Sequence, residues 1–254
     1  MPRGINAYDE GRLQGRNVAN ANSSNIISPG IVTEGLVLHL DAGNYNSYPI
    51  AGTTWYNLSG IGNNGTLTNG PTYSRDGGGS IVLDGTNDYI EGGQLEPQHV
   101  SLACWFKATG APSSNDTTGG GLILSSPIRG VDYGMFYSWL NERIVFTIES
   151  LGAIQVVTAN NSILQNTIYY VTCVFDGATT SIYVNGALNV QSARVVTIAY
   201  PTSGNRNVQI GRWGDSAFPR YFKGHIYSAS IYTRALTPTE VEQNFNATRA
   251  RFGV

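Results

Sequence analysis

Eight glutamates, three histidines and two glycine triplets are the residues here most able to do chemistry, and their spacing limits what they can do. Cleaving a glycosidic bond with retention needs an acid and a nucleophile about 5–5.5 Å apart. The glutamates stand at 10, 34, 91, 96, 142, 149, 240 and 242, and none is placed with an aspartate to give that pair on one strand. A serine or cysteine nucleophile needs a histidine to activate it. His39, His99 and His225 stand apart, with neither a Gly-x-Ser-x-Gly turn nor zinc-type spacing around them, and read as surface or half-buried residues. Gly77–Gly79 and Gly119–Gly121 lack the lysine and following helix of a phosphate loop. The expectation is a chain that is not an enzyme and requires no cofactor.

Recognition chemistry is better served. Trp213, Phe218 and Tyr221 share a Gly/Pro/Asp-containing loop with Arg212, Asp215 and Arg220. Sugar rings dock on exposed aromatic faces, and Trp and Tyr add a polar edge. Trp213, Asp215, Phe218 and Tyr221 are therefore the candidate glycan or partner contacts. The competing reading packs these aromatics on the end of the domain or on a sister subunit. Trp105 and Trp139 lie in strand-like runs and read as core or sheet-face residues.

The elements that must position this loop are short strands. Charged residues make up 13 % of the 254-residue chain, glycine is abundant at 31, and aromatics reach 11 %. That balance suits strands and tight turns and disfavours a helical protein. A net charge of −2 with scattered Lys and Arg excludes nucleic acid as a partner. No apolar stretch follows Met1 and no run is long enough for a membrane span, so neither a secretory leader nor membrane insertion is expected. Cys104 and Cys173 sit in apolar strand-like runs and read as buried thiols, with pairing left open.

Residues 1–33 differ from the rest: Asn6, Asn17, Asn20, Asn22 and Asn25 lie among Gly, Ser and Ala with little apolar periodicity. Such a segment cannot bury enough surface to fold alone. Extended, it reaches roughly 100 Å at about 3.3 Å per residue, which suits a tether held by a sister subunit or another partner. Residues 34–236 carry about a dozen alternating runs, from Leu36-Val-Leu-His-Leu to Tyr221–Tyr232, with turn chemistry dominating between Asp41 and Tyr73. Asn185-Gly186 is the strongest hairpin signal. Residues 237–254 begin with Thr237-Pro-Thr-Glu240, a capping box with proline at the first helical position, which predicts a short helix.

Several segments in order carry a family resemblance: Leu36–Asp41, Ser59–Thr66, Leu83–Ile90, Ser101–Lys107, Tyr170–Gly186 and Ile210–Leu236. Over residues 34–248 the chain resembles the laminin-G-like domains of the concanavalin A-like lectin and glucanase group. The resemblance implies an all-β jelly-roll sandwich with an extended N-terminal arm and a short C-terminal helix. Glucanases of that group use a Glu-x-Asp-x-x-Glu strand, which is absent. Many of its members bind Ca²⁺, a hard cation needing six to eight oxygens. The implied ligands are Asp84, Asn87 and Asp88, joined by Asp41 or Asp116. The alternative is that these residues cap a tight turn.

Gly35-Leu-Val-Leu-His-Leu-Asp-Ala-Gly-Asn44 and the tail Asn246–Gly253 are similar to domains in structural proteins of tailed bacteriophages. That implies a virion protein, decorating the head or forming part of a tail fibre and assembled in a host cytoplasm. Residues 1–33 would hold it to the major capsid protein or a tail component, as a homo-oligomer with glycans as further partners. A stand-alone lectin is the alternative. A polysaccharide hydrolase would need Glu91, Glu142 and Glu149 to converge from different loops.

Overall fold

Alternation along Val100–Ala108 sets the layers: Val100, Leu102, Cys104, Phe106 and Ala108 face one way into the core, and Ala103 and Trp105 face the other. The structure is a computed structural model that describes residues 30–112, 119–124, 132–149, 153–193, 195–200, 206–213 and 219–254. Its first strands are β1 (Leu36–Asp41), β2 (Thr54–Trp55), β3 (Gly65–Thr68), β4 (Thr72–Ser74), β5 (Ser80–Asp84) and β6 (Tyr89–Gln94). Next come β7 (Val100–Ala108), β8 (Gly120–Leu124), β9 (Asp132–Ser138), β10 (Arg143–Glu149), β11 (Ala153–Val157) and β12 (Tyr169–Phe175). The series ends with β13 (Thr179–Val184), β14 (Ala187–Ala193), β15 (Asn207–Ile210), β16 (Arg212–Trp213), β17 (Arg220–Tyr221) and β18 (Lys223–Tyr232), then helix α1 (Pro238–Thr248).

Two antiparallel sheets result. The first runs β14-β13-β12-β7-β18-β5-β4, with β1 also paired to β18, and the second runs β11-β10-β9-β8-β15-β6-β3-β2. Their facing sides enclose one core, in which Leu40, Phe106, Phe146, Phe175, Ile226 and Ile231 are buried. This is the expected jelly-roll sandwich. At the β13–β14 hairpin, Asn185 and Gly186 both have positive φ (49° and 80°), as a two-residue turn of the favoured hand requires. Three strands arise where turn chemistry predicts only loop: β2, β3 and β4 hold two to four residues each, too few to display a period. Trp55 of β2 is nevertheless fully buried.

The outer side of the first sheet is also apolar, and the C-terminal segment covers it. Trp105, Tyr170 and Tyr227 meet Phe245 of α1 and Phe252 of the tail, with the Trp105 and Phe252 rings 4.2 Å apart. Trp105 Nε1 donates to Thr248 Oγ1 at 2.8 Å, so the indole is satisfied as well as packed. Thr237 accepts from the Glu240 N–H while the Glu240 side chain accepts from the Thr237 N–H, the predicted capping box. Arg234 reinforces it with two hydrogen bonds to the Glu240 carboxylate. Arg251 ties the tail down on Asp41 and on the carbonyls of Gly77 and Gly79.

This cover corrects one expectation. His39 is not at the surface but 2 % exposed, because its side of β1 lies beneath the C-terminal segment. Its Nδ1 sits 2.8 Å from Ser230 Oγ, and burial lowers its pKa against the pull of Asp41.

Of the expected arm, residues 1–29 lie outside the described residues, and residues 30–33 pack on α1. The Val32 N–H donates to Asn244 Oδ1, Asn244 Nδ2 donates to the Tyr232 hydroxyl, and that hydroxyl donates to the Val32 carbonyl. Gln243 Nε2 adds a bond to the Gly30 carbonyl. The root of the segment is thereby fixed to the end of β18.

Two outcomes follow from this packing. Hydrogen bonds from Arg234, and from Thr237, hold the Glu240 carboxyl down at about 2 against an ordinary 4.5. A carboxylate depressed in the folded state stabilises fully above its unfolded value and loses that effect as pH falls through the folded one. Glu240→Gln should cost about 1 kcal/mol at pH 7, with the gap to wild type closing between about pH 4.5 and pH 2 in urea denaturation. Cys104 and Cys173 are free, fully buried and in neighbouring strands, and burial pushes both thiols well up. Neither should react with a thiol reagent until the protein is unfolded, with both titrating together at that point.

Candidate functional site

The loop singled out by its aromatics forms where the chain crosses from one sheet to the other. β15 ends at Ile210 in the second sheet, β16 and β17 pair as a small ribbon, and β18 then enters the first sheet. Gly211 makes the crossing: its φ is +87°, and a Cβ there would lie 2.2 Å from Leu83 Cδ1. The Phe222 N–H closes the ribbon base on the Gly211 carbonyl at 2.8 Å. The expected strand Tyr221–Tyr232 is therefore divided, with Tyr221 in the ribbon and β18 starting at Lys223.

In the ribbon Arg212 lies opposite Tyr221 and Trp213 opposite Arg220. The Trp213 ring stacks on Phe136 of β9 with centroids 5.5 Å apart. The Arg220 guanidinium lies 4.0 Å over the same indole, occupying a position where a sugar ring would stack. The Arg212 guanidinium sits 5.1 Å from the Tyr89 ring centroid and 5.9 Å from that of Tyr221. Asp215 and Phe218 lie outside the described residues. Arg212 and Arg220 belong to the loop itself, whereas Tyr89 and Phe136 come from other strands and are brought to it by strand pairing.

The candidate calcium residues stand beside this ribbon, since Asp84 pairs with Lys223 at the start of β18. Asp84 Oδ1 accepts from the N–H groups of Thr86 (2.7 Å) and Asn87 (3.3 Å), and Asp88 Oδ2 accepts from the Asp84 N–H at 3.2 Å. Burial works against the Asp84 charge, yet the backbone donors outweigh it and its pKa falls. Burial and the Asp84 charge push Asp88 up. These oxygens are spent on their own turn. Asp41 pairs with Ser228, roughly 16 Å further along β18 at about 3.3 Å per residue. Asp116 lies outside the described residues. Among the described residues no group of three His, Cys, Asp or Glu converges as metal ligands would.

Catalytic geometry can be tested in the same way. Glu91 is on β6, whereas Glu142 and Glu149 flank or end β10. β9, β8 and β15 separate those strands, which is roughly 19 Å at about 4.8 Å per strand. That is far beyond the spacing of a glycosidase pair. Ser80, His225 and Asp76 do come together, but Ser80 Oγ (2.9 Å) and Asp76 Oδ2 (3.6 Å) both face His225 Nδ1. A relay needs them on opposite ring nitrogens. Asp76 is instead bound by Lys107 and by the Tyr227 hydroxyl. A cavity of about 130 Å³ under α1 is lined by His39, Trp105, Ser230, Asn244 and Arg251, all of which bond to one another or to α1 and the sheet.

A sequence profile of the concanavalin A-like lectin/glucanases superfamily matches residues 84–242. The chain belongs to that superfamily. Among solved structures it is similar to the receptor-binding domain of botulinum neurotoxin type G, at 17 % identity and a TM-score of 0.61 over 84 % of this chain and 51 % of that one. Domain 4 of an extracellular arabinanase from Geobacillus stearothermophilus, solved with arabinotriose, matches at 17 % identity and 0.60, over 84 % and 98 %. The binding domain of paraclostridial mosquitocidal protein 1 matches at 17 % and 0.63, over 85 % and 52 %. The chain thus spans about half the length of the toxin chains and nearly all of the arabinanase domain. At such identities the likeness establishes the fold. No curated protein matches the sequence.

Arg220→Ala should uncover the face of Trp213. Of the four tryptophans, Trp55 and Trp105 are buried, so acrylamide quenching of fluorescence should rise in the variant. Quenching equal to wild type would mean that the guanidinium does not shield the ring.

Proposed function

We propose that this chain is a non-enzymatic, lectin-like binding module carried on the particle of a tailed bacteriophage. Residues 1–33 tether it to the major capsid protein or a tail component, and the β16–β17 ribbon is the displayed contact surface for host glycans. One observation carries the reading. β18 joins the ribbon at Lys223 and holds the root of the N-terminal segment at Tyr232, so the attachment and contact ends are roughly 30 Å apart on a single rigid strand. A tethered copy can then turn its contact surface away from whatever holds it. Several copies on one particle convert weak contacts into avidity, which makes a homo-oligomer advantageous. Similar folds support glycan recognition: one neighbour was solved with arabinotriose and another, a neurotoxin ligand-binding domain, with N-acetylneuraminic acid.

A stand-alone lectin shares the ribbon but not the tether, and deletion of residues 1–29 separates the two. That cut leaves the Gly30–Val32 packing on α1 intact. The deleted chain should keep its thermal stability and glycan-array binding but lose association with purified particles. Tyr89→Ala combined with Tyr221→Ala should weaken array binding at least tenfold, about 1.4 kcal/mol, and calcium chelation should leave it unchanged. Absence of the full chain from particles would overturn the virion reading, and an array signal indifferent to the double variant would overturn the ribbon.

A further inference from the structure

We infer that Arg212 is the anchor for a carboxylate, so that the saccharides taken by the ribbon are acidic ones, of the sialic or uronic acid class. This rests on the ribbon being a glycan surface. Arg212 is half-buried, and its Nε is fully buried without a hydrogen-bond partner. Among the described residues its guanidinium makes no hydrogen bond and no ion pair, only the two ring contacts with Tyr89 and Tyr221. Several other cations of the sandwich are engaged differently. Arg220 lies on Trp213, Arg234 and Arg251 are paired with Glu240 and Asp41, and Lys107 is paired with Asp76.

Among the described residues, the two acids of the turn beside the ribbon do not pair with it. Asp84 and Asp88 belong to the adjoining turn, where Asp84 Oδ1 and Asp88 Oδ2 accept from its backbone N–H groups. Ring contacts engage the faces of a guanidinium and leave its planar edge, where the terminal N–H groups lie, for an in-plane acceptor. A carboxylate is the planar partner that matches this fork with two parallel hydrogen bonds. Holding the side chain against two tyrosines removes rotamer freedom before a ligand arrives, which lowers the entropic cost of binding. The tyrosine rings, with their hydroxyl edges, flank the place where the body of the sugar would lie.

The test is biolayer interferometry of the full chain at physiological ionic strength, where loose surface attraction is screened. Colominic acid, a sialic acid polymer, is compared with dextran sulfate and neutral dextran, and a neutral glycan array runs in parallel. Wild type should bind colominic acid in preference to both dextrans. Arg212→Gln should weaken that binding at least tenfold with little change in melting temperature. Arg212→Lys, which keeps the charge and loses the fork, should fall between them and serves if the Gln variant does not fold. Colominic acid binding that either variant leaves unchanged overturns the inference, as does preference for dextran sulfate. Binding confined to neutral glycans also overturns it while leaving the lectin reading intact. Failure to bind any saccharide in either format removes that reading and the inference with it.

Discussion

β18 is the constraint on which the remaining architecture depends. It is hydrogen-bonded along one side to β7 and along the other to β5 and then β1. Its inward residues Ile226, Ala229 and Ile231 are fully buried in the core. A strand paired on both sides and covered on both faces cannot shift register without exposing its apolar side and breaking two ladders. What it carries at its two ends, the ribbon at Lys223 and the N-terminal root at Tyr232, is therefore held at a defined separation.

The price of that position falls on the outer face of the first sheet. Trp105, Tyr170, Tyr227 and Tyr232 are too large and apolar to leave in water, and burying each is worth roughly 1.5–3 kcal/mol. The C-terminal helix and tail supply the cover, which explains a short amphipathic segment in an otherwise all-β chain. The same cover buries His39 and binds residues 30–33, so the segment that closes the fold also clasps the point from which the N-terminal part departs.

Polar chemistry is divided accordingly. Beneath the cover, charges are paired: Arg251 with Asp41, Arg234 with Glu240, Lys107 with Asp76. At the ribbon, the Arg212 guanidinium is laid against two aromatic rings and makes no ion pair among the described residues. Pairing stabilises a closed seam, whereas a guanidinium held by ring contacts retains donors for an outside partner.

Much of the fold is legible in the residues alone. Alternation in Val100–Lys107 and Tyr170–Phe175, the Asn185-Gly186 turn and the Thr237–Glu240 capping box are local signals, because they depend on backbone periods and on contacts within a few residues. β2 to β4 are not legible in the sequence because two to four residues cannot show a period; pairing of β4 with β5, β3 with β6 and β2 with β3 makes them strands. The site was half visible. Trp213, Tyr221 and the two arginines announced a contact loop by composition, but Tyr89 and Phe136 come from strands far away in sequence. Which glutamates stay apart, which histidine is buried and which arginine meets no acid among the described residues are consequences of strand order, and strand order is decided by long-range pairing and burial rather than by any local pattern.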